Sequence, residues 1–187
     1  MKNKRKQIFW FAFKIMTTIM SVFKIFRNIE KEINFSELKS GYYILDFGCG
    51  PGFNTIHAAK IVGIKGKVFA LDIQKQAIEI VTKKAEKNKL KNIETILSDC
   101  YSGLKDNTIN LVYLHNTFPM IKNKKDVLNE IYRVLKINGR LSYMSRSGSK
   151  ILMENRMTDK ELKKYLKTEY NMELIKHKNG HSIFEKK

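Results

Sequence analysis

From residue 42 onward, short apolar runs alternate with longer segments whose apolar positions recur every three or four residues. The short runs predict strands over 42–46, 67–72, 93–98, 109–115 and 140–145. Between them the spacing predicts helices over 54–61, 74–88 and 125–135. Ile73, Ala77, Val81 and Ala85 repeat every four residues, and Val127, Ile131, Val134 and Leu135 share one side of the next helix, so each helix has a face to lay on a sheet. Strands alternating with helices predict βα units and a mainly parallel sheet. Towards the end, Thr158-Asp159-Lys160-Glu161 reads as a capping box that opens a helix running to about residue 170. Glu173-Leu174-Ile175 and Ser182-Ile183-Phe184 then flank Asn179-Gly180, a dipeptide that accepts the positive φ angles of a tight hairpin.

The first 40 residues follow a different pattern. MKNKRK is a basic cluster, and the apolar stretch after it is interrupted by Lys14 and Lys24, short of the ~18 uninterrupted apolar residues a spanning helix needs. Lys14, Thr17, Thr18, Ser21, Lys24 and Asn28 form a polar stripe at helical spacing, with residues such as Ile15, Ile19, Val22 and Phe26 on the rest of the surface. The segment therefore reads as amphipathic. Three uses compete: packing as core, a lid of Trp10, Phe11, Phe13, Met16 and Met20 over a ligand, or a helix lying at a membrane surface. Residues 1–40 are set apart on this basis, and 41–187 read as one domain, since neither Pro51 nor Pro119 belongs to a linker.

Charge adds one constraint. The net charge is +18, divided as +6 over residues 1–40, +3 over 41–112 and +9 over 113–187. Such an excess suits nucleic acid, anionic lipid or an acidic partner, and equally a solvated lysine-rich surface. Cys49 and Cys100 are too few and too far apart for a disulfide framework, and no CxxC pair suggests a metal, so a reducing cytoplasm fits, with peripheral membrane contact through residues 1–28 left open.

The chemistry gathers at ILDFGCGPGF, residues 44–53. Asp46 closes an apolar run, and Gly48, Gly50 and Gly52 lack the Cβ atoms that would hold a ligand off the backbone; Asn54 is placed to cap the helix that follows. The dinucleotide fingerprint needs G-x-G-x-x-G, and Phe53 stands where its third glycine belongs. The run KVFALDI ends its apolar part in Asp72, 20 residues after Gly52, where an acid can accept hydrogen bonds from ribose hydroxyls. Ser98-Asp99-Cys100 brings a third acid to the end of the third strand.

ILDFGCGPG, KVFALDI, ETILSDC, INLVYLHN and LNEIYRVLKINGRLSYM, in this order and at this spacing, resemble a class I S-adenosylmethionine (SAM)-dependent methyltransferase over nearly all of residues 40–187. The resemblance implies an α/β Rossmann-like three-layer sandwich with a seven-stranded sheet in the order 3-2-1-4-5-7-6, strand seven antiparallel. It implies SAM as cofactor, leaving as S-adenosylhomocysteine, with no metal. Asp46 and the loop of Gly48, Cys49, Gly50 and Gly52 would hold the methionine end, and Asp72 both ribose hydroxyls. Ile73 would pack on the adenine, Asp99 would meet its amino group with the Cys100 backbone nearby, and His115 would border the cofactor at the end of strand four. Asn110, where many members carry an acid, and Ile137-Asn138-Gly139, in place of a frequent Pro-Gly-Gly, depart from the family pattern.

Methyl transfer from a sulfonium asks mainly for alignment of nucleophile and methyl, and for a base only if the acceptor keeps its proton. His115 and Asn116 are the catalytic candidates, since an imidazole titrates near neutrality. HNTFP at the end of strand four lacks the Asn/Asp-Pro-Pro-aromatic tetrad of many base- and glutamine-modifying relatives. The expected acceptor is small or lipid-like, bound by the first helix, the loops after strands four and five, and residues 145–157. An RNA or protein methyltransferase using the basic termini, and a non-catalytic SAM-binding or membrane-surface protein, are the alternatives.

Overall fold

The computed structural model describes residues 29–145 and 158–187; the expectations for residues 1–28, including the amphipathic helix and its lid or membrane roles, and for 146–157 lie outside that range. The described chain runs α1 (Ile29–Phe35), β1 (Tyr43–Phe47), α2 (Phe53–Val62), β2 (Lys67–Asp72), α3 (Lys75–Lys87), β3 (Ile93–Leu97) and β4 (Ile109–His115). A 3-10 turn (Phe118–Met120) follows, then α4 (Lys124–Val134), β5 (Leu135–Met144), α5 (Asp159–Tyr170), β6 (Met172–Lys178) and β7 (His181–Lys186).

The seven strands form one sheet in the order β3-β2-β1-β4-β5-β7-β6. All pairs from β3 to β5 are parallel, and β7 runs antiparallel to both β5 and β6. The implied order and the antiparallel seventh strand are both present, as are the hairpin, with Asn179 at φ 50° and Gly180 at φ 75°, and the capping box of Thr158 and Glu161.

The central strands are apolar on both faces because both are covered. On one side Leu45, Phe47, Val112, Leu114, Leu141 and Phe184 join Val127, Leu128 and Ile131 of α4 and Leu162 and Leu166 of α5 in the main core. Each such large aliphatic side chain contributes ~1.5–3 kcal/mol by leaving water. On the other side Ile44, Val68, Leu111 and Tyr113 meet Ala58, Ala59 and Val62 of α2. α1 lies on this second side: Ile33 packs with Phe53, and Ser36 Oγ stands 3.0 Å from the Tyr113 hydroxyl.

Three local expectations are corrected. Asn54 does not cap α2; the helix begins one residue earlier, after Gly52 at φ 76°, and the Asn54 side chain turns inward to His115. Ile73 is not part of the α3 stripe, because α3 starts at Lys75 and Ile73 is left 66% exposed, while Ala77, Val81 and Ala85 are buried. Leu135 belongs to β5, which begins directly after α4 and pairs Leu135 with Ile109 and then Arg140 with Leu111. Lys136 to Gly139 thus stand opposite the single Asn110, whose Oδ1 accepts from the Tyr43 amide at 2.9 Å. The residue that departs from the family's acid keeps an acceptor for a neighbouring strand.

Residues 98–108 cross from the sheet edge to its centre without a helix. Glu130 of α4, 5% exposed, anchors them by accepting from the Ser102 amide and hydroxyl, and it is held in turn by the Arg133 guanidinium at 2.8–2.9 Å. At the far end of the sheet, buried Lys186 donates to the Tyr132 and Leu135 carbonyls at 2.7 and 2.8 Å, closing the junction between α4 and β5.

Candidate functional site

The parallel strands all point their carboxyl ends to one edge, and the loops after β1, β2 and β4 converge there. In an open α/β sheet this edge, where β1 and β4 send the chain in opposite directions, is where a ligand crevice forms.

The glycine loop is pinned from below and open above. The Gly48 and Cys49 amides both donate to the Leu71 carbonyl, at 2.8 and 2.9 Å. Gly48 has φ 74°, and a Cβ there would collide with the Thr117 side chain, whose hydroxyl donates to the Gly48 carbonyl at 3.2 Å. At Gly50, φ 50°, no described atom lies within 4 Å of where a Cβ would stand. Gly50 therefore presents bare backbone to an open space, as close approach of a ligand requires. Lys84 of α3 fastens the far side of the loop, donating to the Pro51 carbonyl at 2.6 Å.

Asp72, the last residue of β2, is 8% exposed. Its Oδ2 accepts from the Gly50 amide at 2.8 Å and its Oδ1 from the Gln74 amide at 2.9 Å. One carboxylate thus orients the loop after β1 and the loop after β2 together. Ile73 stands exposed beside it, with Leu97 (56% exposed) and Tyr101 (64%) as the other large exposed side chains on this flank of the sheet. Asp99 lies two residues beyond β3 and is exposed; Cys100 is half-buried against the main core. Asp46, 2% exposed inside β1, accepts from the Thr55 hydroxyl of α2 at 2.6 Å.

Both thiols are held neutral. Burial, with Asp46 and Asp72 nearby, pushes the Cys49 thiol well above its ordinary range, and burial followed by the surrounding carboxylates raises Cys100. A disulfide-exchange reagent at pH 7 is expected to titrate less than one thiol rapidly in the native protein and two in denaturant; two fast native thiols would contradict this burial.

His115 ends β4 and is 8% exposed. Its Nδ1 lies 3.1 Å from the Asn54 Nδ2 and its Nε2 2.8 Å from the Ser142 hydroxyl of β5. The same hydroxyl lies 2.7 Å from Nε2 of His181 on β7. The His115 and His181 rings meet edge to face at 5.1 Å, and Phe35 of α1 packs on His181 at 4.6 Å. Asn116, half-buried at φ 58°, donates its amide to the Met144 carbonyl at 2.7 Å.

The sequence-predicted residues thus fall into two groups at one sheet edge: the Gly48–Gly52 loop with Asp46, Asp72 and Ile73, and His115 with Asn116. Asp99 and Cys100 lie further out on the β3 flank. Asn54, Thr117, Ser142 and His181 were not singled out from the sequence as site residues. The available signal was a polar side chain inside an apolar strand, as at Ser142 between Leu141 and Tyr143.

A family model described as "Methyltransferase domain" matches residues 38–187. The chain belongs to this methyltransferase family. A solved SAM-dependent methyltransferase from Aquifex aeolicus aligns with a TM-score of 0.73 at 27% identity, covering 85% of this chain and 88% of that one. A demethylmenaquinone methyltransferase from Lactobacillus johnsonii is 32% identical over 113 residues, which is 59% of this chain and 46% of the relative. An arsenite methyltransferase from Halobacterium salinarum is 29% identical over 109 residues, 58% of this chain and 28% of that protein. The methyltransferase domain described here therefore spans about half or less of the length of these curated relatives. Among its described residues no group of three or more His, Cys, Asp or Glu is placed to hold a metal ion, and no helix is long and apolar enough to cross a membrane.

Proposed function

We propose that this methyltransferase domain moves a methyl group from SAM to a small or lipid-like acceptor. The observation that carries the reading is Gly50, whose bare backbone faces open space while its amide is held by the Asp72 carboxylate. Each Asp72 oxygen accepts one backbone hydrogen bond and keeps capacity for another, which suits two ribose hydroxyls. Exposed Ile73 offers an apolar surface to an adenine ring, and Asp99 a carboxylate for its amino group. Asp46, Gly48, Cys49 and Gly52 would border the methionine end. When bound, SAM supplies an electrophilic methyl group; the protein's part is to hold the acceptor in line and to exclude water.

Three supports favour a small acceptor. The curated relatives include proteins named for demethylmenaquinone and for arsenite. The loop between β4 and α4 is short and holds only the 3-10 turn Phe118–Met120. The amphipathic sequence pattern of residues 9–28 supplies apolar side chains of the kind a lipid-like acceptor needs. His115 is the group proposed to receive an acceptor proton, and Asn116 the neighbouring contact.

The test uses methyl-labelled SAM, the protein, an Asp72→Ala control and a fractionated cell extract. Label is expected in the small-molecule or lipid fraction and not in the control. Label in RNA or protein would overturn the acceptor class, and no transfer despite calorimetric SAM binding would favour a binding role.

A further inference from the structure

Asn54, His115, Ser142 and His181 form one buried row on the α2 side of the sheet, crossing β4, β5 and β7 at distances of 3.1, 2.8 and 2.7 Å. None is more than 8% exposed. The row has a direction fixed by the donors available. An amide nitrogen can only donate, so the Asn54 Nδ2 makes His115 Nδ1 an acceptor, and His115 then carries its proton on Nε2. That Nε2–H donates to the Ser142 oxygen, leaving the single Ser142 hydrogen for His181 Nε2. With both rings neutral, His181 then carries its own proton on Nδ1. The Ser142 hydroxyl therefore links the two rings.

Resting on the methyltransferase reading above, we propose that His115, Ser142 and His181 are a one-proton relay serving an acceptor with an ionisable hydroxyl, such as a phenol or hydroquinol. The acceptor hydroxyl takes the place of the Asn54 amide at His115 Nδ1. Its O–H bond breaks and the proton forms Nδ1–H; the electron pair stays on the acceptor oxygen, which becomes the nucleophile or activates the adjoining carbon. The Nε2 proton of His115 passes to the Ser142 oxygen, and the Ser142 hydrogen passes to His181 Nε2. Atoms balance with the positive charge on His181, two strands further along the sheet from the sulfonium than His115. Ser142 and His181 are positioning residues in this scheme, and Asn54 holds the place of the acceptor.

Among the described residues, other titratable or charged groups on this side are Asp46 on β1, Tyr113 beside His115 at a ring distance of 4.9 Å, Glu32 on α1, His57 on α2, and Arg140 on β5 with its partner Glu37. Asp46, Tyr113 and Glu32 are buried. The expected behaviour is that the row takes up a single proton as pH falls. A second would leave two imidazoliums facing one oxygen.

The test reads ring-nitrogen NMR signals of the full-length protein labelled with 15N-histidine, without cofactor or acceptor, so that it stands apart from activity. His115 is expected as the Nε2–H tautomer and His181 as the Nδ1–H tautomer, the two rings taking up one proton between them as the pH is lowered. Ser142→Ala should uncouple them into two separate titrations, and Ser142→Thr, which keeps the hydroxyl, should restore the coupling. Two independent titrations in the unmodified protein, or the opposite tautomers, would overturn the relay. Ser142→Ala and His181→Phe should leave the SAM dissociation constant, measured by calorimetry, within about twofold. Against the acceptor fraction from the labelling experiment, both should lower kcat about a hundredfold with little change in KM. Intact SAM binding with unchanged kcat would overturn the relay without touching the cofactor reading; loss of SAM binding in the unmodified protein would instead sink that reading.

Discussion

Asp72→Ala is expected to weaken SAM binding by about a hundredfold or more, with the fold retained. A hydrogen bond to a charged group contributes about 1.5–3 kcal/mol, and this carboxylate would make two to a ribose. It also positions the Gly50 and Gln74 amides, so its loss loosens the loops after β1 and β2 together. A loss of about 2.7 kcal/mol is already a hundredfold. Calorimetric titration with SAM, alongside a thermal melt, separates binding from stability. Asp72→Asn should fall between the two, since it keeps the shape and one acceptor. Binding of the alanine variant within threefold of the unmodified protein would reduce Asp72 to a loop anchor.

The largest effect on stability is expected at Glu130, on the opposite face of the sheet. Glu130→Ala strands the Ser102 amide and hydroxyl and the Arg133 guanidinium, and breaking such a buried pair costs about 3 kcal/mol where one partner keeps some solvent. A urea midpoint shift checks it. Burial opposes charge on Glu130, but the Arg133 and Ser102 donors outweigh burial and hold its pKa below the ordinary 4.5. A lowered carboxyl pKa stabilises the fold above the unfolded value and loses that contribution as pH falls through the folded one. The stability gap between the protein and Glu130→Ala should therefore stay constant from neutral pH down to about 5.5 and narrow below about 4.5. A gap that widens in acid would contradict the charged pairing.

Strands over 67–72 and 109–115 were legible to the residue because a parallel strand covered on both faces is written as a continuous apolar run, and VFAL and LVYL are such runs. The start of β5 was not: Leu-Lys-Ile-Asn-Gly looks like a turn, and a ladder that resumes after four residues against one leaves no periodic trace. Ile73 read as core because it stands four residues before Ala77, yet α3 begins two residues after it. The acids and glycines of the site announce themselves by type and spacing. The histidine row does not, because a single polar residue in a strand reads as facing solvent. Only the placement of β7 beside β5 brings His181 within reach of Ser142.

That placement also governs the order in which the molecule can be completed. β7 is the last of the seven strands in the chain, yet it lies between β5 and β6 and supplies every ladder bond that joins them. During synthesis a nascent chain carrying the first six strands has β5 with one edge unpaired and β6 with no neighbour. Lys186, which closes the junction of α4 and β5, arrives with the same strand. The sheet is locked from its interior by its seventh strand, so Ser142 on β5 waits for His181 until that strand has been made.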